Sequence, residues 1–116
     1  MKQNDLTERL FQFSVRAIKY LRKVPFNDET KIIKNQLIKS SSSTCANYEE
    51  SQAGSSKADF TNKDRIALRE IRETSFWLRL MNELDYHKYD TEEFQWLEDE
   101  SLELSKILGS IVQKSR

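Results

Sequence analysis

An all-α, antiparallel up-down-up-down four-helix bundle is the fold this sequence predicts, on three observations. The 116 residues include only 2 Gly and 1 Pro, too few for the many tight turns of a sheet protein. Four stretches repeat their apolar residues at three- and four-residue steps, which places them on one stripe of a helix. The breaks between stretches are short, and helices joined by short connections pack as antiparallel neighbours. Charged residues make up 33% of the chain, yet 6 Phe, 4 Tyr and 2 Trp are too much large apolar surface for a disordered chain. The length suits one domain and one core, residues 1–116.

The first helix is expected over about residues 5–23, with Leu6, Leu10, Phe13, Ala17, Leu21 and Val24 on one stripe. Asn4 or Asp5 caps its start, and Pro25 stops it because proline has no N–H to donate and its ring clashes with the preceding turn. The second, about 28–53, starts near Asn27 or Asp28 and carries Ile33, Leu37, Ser40 or Ser41, Thr44 and Tyr48. Its run Ser40-Ser41-Ser42-Ser43-Thr44 also reads as a flexible linker. It holds no Gly or Pro, however, and the period resumes in phase at Tyr48, which favours continuous helix.

Gly54-Ser55-Ser56 marks the next break, with Ser56 and Asp59 at capping-box spacing. The third helix, about 57–85, has Phe60, Lys63, Ala67, Ile71, Thr74, Leu78 and Met81 on one stripe. Ile66, Leu68, Phe76, Trp77, Leu80 and Leu84 lie beside or opposite it, so this helix is apolar on more than one face. Phe76, Trp77 and Leu80 are therefore candidate contacts between copies of the chain. The fourth helix, about 91–114, is capped by Asp90 or Thr91, with Asp90 and Glu93 at capping-box spacing. Phe94, Leu97, Ser101, Leu104, Leu108 and Ile111 form its stripe, and its exposed faces are acidic.

Several chemistries are disfavoured by residue counts. A carboxylate-bridged metal site in a bundle needs two Glu-x-x-His motifs, but the chain has one histidine, His87, placed in a solvated loop. Cys45 is the lone cysteine, which excludes an intrachain disulfide; it has no base in sequence reach and reads as a small buried residue. Glu70 and Glu73 share a face as an acid–base pair would, but Arg69 and Arg72 beside them suggest salt bridges along the helix. No glycine-rich phosphate loop is present. The expectation is a protein that is not an enzyme, with no cofactor, no metal and no small-molecule substrate. No segment approaches a membrane span, the amino terminus carries no leader pattern, and the expected location is cytoplasmic.

Net charge is zero but polarised: residues 1–58 carry 10 Lys+Arg against 6 Asp+Glu, and residues 59–116 carry 9 against 13. Arg16, Lys19, Arg22 and Lys23 cluster late in the first helix, and Lys31, Lys34 and Lys39 recur on the second. In an antiparallel pair, Arg22, Lys23, Lys31 and Lys34 converge around the Pro25 turn, a patch suited to phosphates. A solvated face, or pairing with the acidic fourth helix of a neighbouring copy, accounts for the same charges.

The residues Gln36-Leu37, Ala46-Asn47-Tyr48-Glu49-Glu50, Ser56-Lys57-Ala58-Asp59-Phe60 and Lys63 resemble the four-helix-bundle family of 23S rRNA intervening-sequence proteins. Ile66-Ala67-Leu68-Arg69-Glu70, Arg72-Glu73-Thr74 and Trp77-Leu78 fit the same pattern, together about half the chain. The resemblance implies an antiparallel bundle, ring-like homopentamers and no established enzymatic activity; the family is also similar to the accessory protein of diversity-generating retroelements. Thr44 and Cys45 depart from the usual Val or Ile and Gly. Asn47, Glu50, Glu70 and Glu73 match the family motif, and a polar network joining Asn47 to Glu70 is expected to set helix register. The leading expectation is thus a non-catalytic homo-oligomeric scaffold that binds RNA or a ribonucleoprotein. The alternative is a protein-interaction module using the apolar third and acidic fourth helices.

Overall fold

The structure, a computed structural model, describes residues 3–53 and 56–115. It has four helices in chain order: α1 (Gln3–Leu21), α2 (Asp28–Gln52), α3 (Lys57–Glu83) and α4 (Thr91–Lys114). Cross-helix contacts give the topology. Ser14 and Lys34 reach Ser41 and Val24, Glu50 and Ser40 meet Lys63 and Thr74, Ser75 meets Ser101, and Arg9 and Arg16 meet Glu100 and Glu93. Between paired helices, residue number rises on one as it falls on the other, so neighbours run antiparallel. Tyr20, Tyr48, Phe13, Phe94, Leu37, Ile71 and Leu104 fill the shared core.

Local chemistry sets the helix ends. α1 stops at Leu21, two residues before the expected end. Lys23 and Val24 donate their N–H groups to the Tyr20 and Leu21 carbonyls at 2.9 and 3.1 Å, because Pro25 disfavours helical backbone at Val24. Its start at Gln3 precedes the expected cap at Asn4 or Asp5. At α2 the Asn27 side chain accepts from the Thr30 N–H, and the Asn27 N–H donates to the Thr30 hydroxyl, each at 2.8 Å. That is a capping box with threonine in the place of glutamate.

The serine run is helix throughout. Ser42 and Thr44 donate to the Ile38 and Ser40 carbonyls at 2.7 and 2.8 Å, which satisfies these hydroxyls inside their own helix. Gly54 and Ser55, expected to break the chain, lie outside the described residues. Ser56 caps α3, accepting from the Asp59 N–H at 3.0 Å. At α4 the cap is Asp90, but the carboxylate of Glu93 does not return to it; Arg16 holds that carboxylate instead. Among the described residues, no helix is long and apolar enough to cross a membrane.

The end of α3 is unusual. Tyr86 N–H donates to the Met81 carbonyl at 2.9 Å and Asp85 N–H to that of Asn82 at 3.2 Å, a Schellman motif. Asp85 occupies its left-handed position, φ 66°, where glycine is customary. Asp85→Ala is expected to lower stability by about 1 kcal/mol, and Asp85→Gly to be tolerated. Urea unfolding of both variants checks this; equal losses would count against backbone strain as the cause.

Candidate functional site

Two arginines of α1 and the lysine just beyond it are paired within the chain. Arg9 grips Glu100 with two bonds at 2.7 and 2.8 Å, Arg16 grips Glu93 at 2.9 and 2.6 Å, and Lys23 meets Asp90 at 3.0 Å. Arg9 and Arg16 are seven residues apart and so share one stripe of α1 facing the acidic edge of α4, and Lys23 follows just beyond the helix end. Arg16 also lies over the Trp96 ring, 3.3 Å from its centroid. Part of the charge polarity is therefore discharged between helices of one chain. Lys34 is committed as well: its ammonium donates to the Val24 carbonyl at 2.6 Å and lies 5.8 Å from the Phe26 ring. Of the seven predicted phosphate contacts, Lys19, Arg22, Lys31 and Lys39 stand exposed and make no ion pair among the described residues.

The guanidinium of Arg16 holds the Glu93 carboxyl below the usual carboxylate range. Stability from this pair is present above the unfolded glutamate value of about 4.3 and is lost as pH falls through the lower folded value. Arg16→Ala is expected to cost about 1–2 kcal/mol at neutral pH, more than an exposed ion pair, because the interaction is bidentate and stacked on Trp96. A double-mutant cycle with Glu93→Gln measures the coupling; strict additivity would remove the pair as a stabilising interaction.

Arg69 and Arg72, expected from the sequence to form salt bridges along α3, make none among the described residues, and the same holds for Arg65 and Arg79. All four are exposed. Their spacing, with Phe76 between them, is the signal that could have revealed this stripe. Two depressions lie on the side of α3 that faces α4. One, of about 280 Å³, is lined by Arg72, Ser75, Phe76, Arg79, Glu98, Ser101 and Leu102. The other, of about 440 Å³, is lined by Lys57, Ala58, Thr61, Asn62, Arg65 and Ser115. A third, between α1 and α2, is more apolar and includes Phe11, Val15, Ile18 and Cys45.

The three candidate assembly residues differ in environment. Phe76 is 45% exposed and meets Trp77 edge-on at 5.1 Å, whereas Trp77 packs against the core and Leu80 is half-buried. More fully exposed apolar groups lie elsewhere: Phe26 at 72%, Ile32 at 61% and Leu102 at 56%.

The expected network between Asn47 and Glu70 is not made. Asn47 donates to the Ser43 carbonyl and hydroxyl at 2.9 and 3.1 Å in its own helix, and Glu50 meets Lys63 at 3.3 Å. Glu70 keeps one buried carboxylate oxygen without a partner; burial and the charge of the exposed Glu73 push its carboxyl up. α2 and α3 are bridged instead by that Glu50–Lys63 pair and by a hydrogen bond between the Ser40 and Thr74 hydroxyls at 2.7 Å.

Three other groups bear on chemistry. Cys45 is buried as expected, and burial followed by the charge of Glu49 pushes its thiol up to about 11, unsuited to nucleophilic attack. His87 lies in the turn after α3 but is only half-solvated: its ring lies 6.2 Å from that of Phe94, and Nδ1 is buried without a hydrogen-bond partner. Asp64, which no sequence signal singles out, is fully buried, with neither carboxylate oxygen hydrogen-bonded.

Residues 2–110 match the model of a family described as 23S rRNA-intervening sequence protein. The fold is similar to the crystal structure of a protein of unknown function from the S23 ribosomal protein family of Bacteroides thetaiotaomicron. The two superpose with a TM-score of 0.80 at 33% identity, covering 97% of this chain and 99% of the other. No curated protein matches the chain.

Proposed function

This chain belongs to the 23S rRNA-intervening sequence protein family, and we propose that it acts as a non-catalytic, homo-oligomeric scaffold that binds RNA or a ribonucleoprotein through exposed basic patches. The observation that carries this reading is that Lys19, Arg22, Lys31 and Lys39 stay exposed and outside every ion pair among the described residues, after α1 has neutralised part of α4. Cations held this way are available to phosphates, whose neutralisation releases counterions and needs no sequence readout. Self-association is supported by the exposed Phe11, Phe26 and Ile32, apolar groups that contact between copies would cover. The assembly expected is the homopentamer that the family resemblance implies, working in the cytoplasm.

Titration with a structured RNA tests the nucleic-acid half. Affinity is expected to fall steeply with salt, each phosphate neutralised on a single strand adding about 0.7 to the log–log slope. No binding at low salt would remove RNA from this reading, and a monomer mass by light scattering at micromolar concentration would remove self-association.

A second reading has its own support. Glu92, Asp99 and Glu103 remain exposed on α4, with Leu102 open to solvent between the last two. That face suits a basic partner protein, and a partner retained after nuclease treatment would favour it.

A further inference from the structure

We propose that the groove between α3 and α4 is a binding site for single-stranded RNA, its phosphates on the α3 arginines and a base stacked on Phe76. This rests on the RNA-binding reading above and assigns it to a face that the lysines of α1 and α2 do not share. Arg65, Arg69, Arg72, Phe76 and Arg79 follow one another at steps of four, three, four and three residues. Steps of that size stay on one side of a helix, because each pair of them nearly completes two turns. At 1.5 Å per residue the stripe runs about 21 Å, roughly six nucleotides at the 3.4 Å spacing of a stacked strand.

The surface under the stripe is concave at both ends. The depression at Arg72 and Arg79 and the one at Lys57 and Arg65 both open between α3 and the side or end of α4. Together they contain one carboxylate, Glu98, which burial and the neighbouring Asp99 push toward its neutral form. A polyanion laid there meets four arginines that no carboxylate pairs among the described residues.

Phe76 selects the kind of nucleic acid. Trp77 lies beside its ring, with the planes at 74° and the centroids 5.1 Å apart, while 45% of Phe76 stays open. An exposed aromatic ring is of use to an unpaired base, which can stack on it; bases in a duplex are already stacked on their neighbours. Arginines interleaved with an exposed aromatic are the combination that single-strand grooves use.

Fluorescence anisotropy of the full chain with a labelled single-stranded RNA, and with the duplex of the same sequence, tests the assignment. Phe76→Ala is expected to weaken single-strand binding about ten-fold with little change in salt slope, since it removes stacking and no charge. Arg69→Gln with Arg72→Gln is expected to flatten the slope by about 0.7 for each phosphate no longer neutralised. Lys19→Gln with Lys31→Gln, on the other face, should leave affinity for this strand within about two-fold. All these side chains are exposed, so unchanged melting temperatures are expected and verify folding.

Three results would overturn the proposal in distinguishable ways. If the wild type binds no RNA at low salt, the broader reading fails with it. If the wild type binds RNA but only the Lys19 and Lys31 variants lose affinity, the groove is wrong and RNA binding stands. If Phe76→Ala changes the light-scattering mass while RNA affinity is unchanged, the groove is an interface between copies of the chain.

Discussion

Replacing Asp64 by asparagine is expected to stabilise the bundle at neutral pH by about 1–3 kcal/mol, whereas most core substitutions destabilise. Asp64 is 0% exposed, and neither of its oxygens is hydrogen-bonded. Ser51 is close enough to offer slight relief, but its hydroxyl donates at 2.7 Å to the Tyr48 carbonyl. The Tyr48 phenol is itself pushed up to about 12, first by burial and then by the charge of Asp64.

Burial pushes the Asp64 carboxyl above its usual range. A group with a raised folded value stabilises fully below the unfolded value, about 3.9 here, and that contribution is lost as pH rises through the folded value. Wild type should therefore fall behind Asp64→Asn as pH climbs from about 4, and the gap should level off once the folded carboxyl has ionised. Glu70 and Glu98 are raised and Glu93 lowered, but they are common to both proteins and cancel in the difference. Urea unfolding across this range decides the matter. An asparagine variant less stable than wild type at pH 7 would mean that the ionised carboxylate has a stabilising partner.

The second large effect is expected at Ser40. Ser40→Leu should cost about 2–4 kcal/mol, and Ser40→Ala less than about 1. Ser40 is 0% exposed and faces Thr74 across the α2–α3 interface at 2.7 Å, leaving no room for a longer side chain. Alanine is tolerable because the Thr74 hydroxyl retains the Glu70 carbonyl as acceptor at 3.0 Å. Thermal unfolding compares the two; equal melting points would show that α2 and α3 are not closely packed there.

Helix existence was legible because its signals are local. Proline at 25, side-chain caps at 27, 56 and 90, and a three-four period placed every helix end within two residues of its observed position. The serine run could be read as helix because the period continued across it. The inward stripes were legible as well, since the residues expected on them are buried on all four helices apart from the partly exposed Phe60, Lys63 and Ile111. Lys63 was placed on the inward stripe of α3 where Asp64 lies, and one residue amounts to about 100°.

Side-chain partners across helices depend on how two helices are set against each other, which spacing within one helix does not report. Arg16 and Glu93 are 77 positions apart, and nothing in either segment names the other. Asn47 and Glu70 failed for a different reason: a partner one turn away, Ser43, satisfied the amide first. On α3, glutamates adjacent in sequence made the arginines look paired when they were not.

The ion pairs that tie α1 and the turn after it to α4 and its cap join residues 91, 77 and 67 positions apart, while Ser40 and Thr74 are 34 apart. Joining the first helix to the last confines almost the whole chain, and the Arg9–Glu100 closure costs about 0.9 kcal/mol more chain entropy than the Ser40–Thr74 closure. The α2–α3 hairpin can therefore form early, with α1 and α4 meeting as the final event. Because that last seam carries three ion pairs beside its aromatic contacts, high salt should speed its opening more than it slows folding. The molecule would then loosen first along its longest sequence separation, while the serine-packed hairpin remains closed.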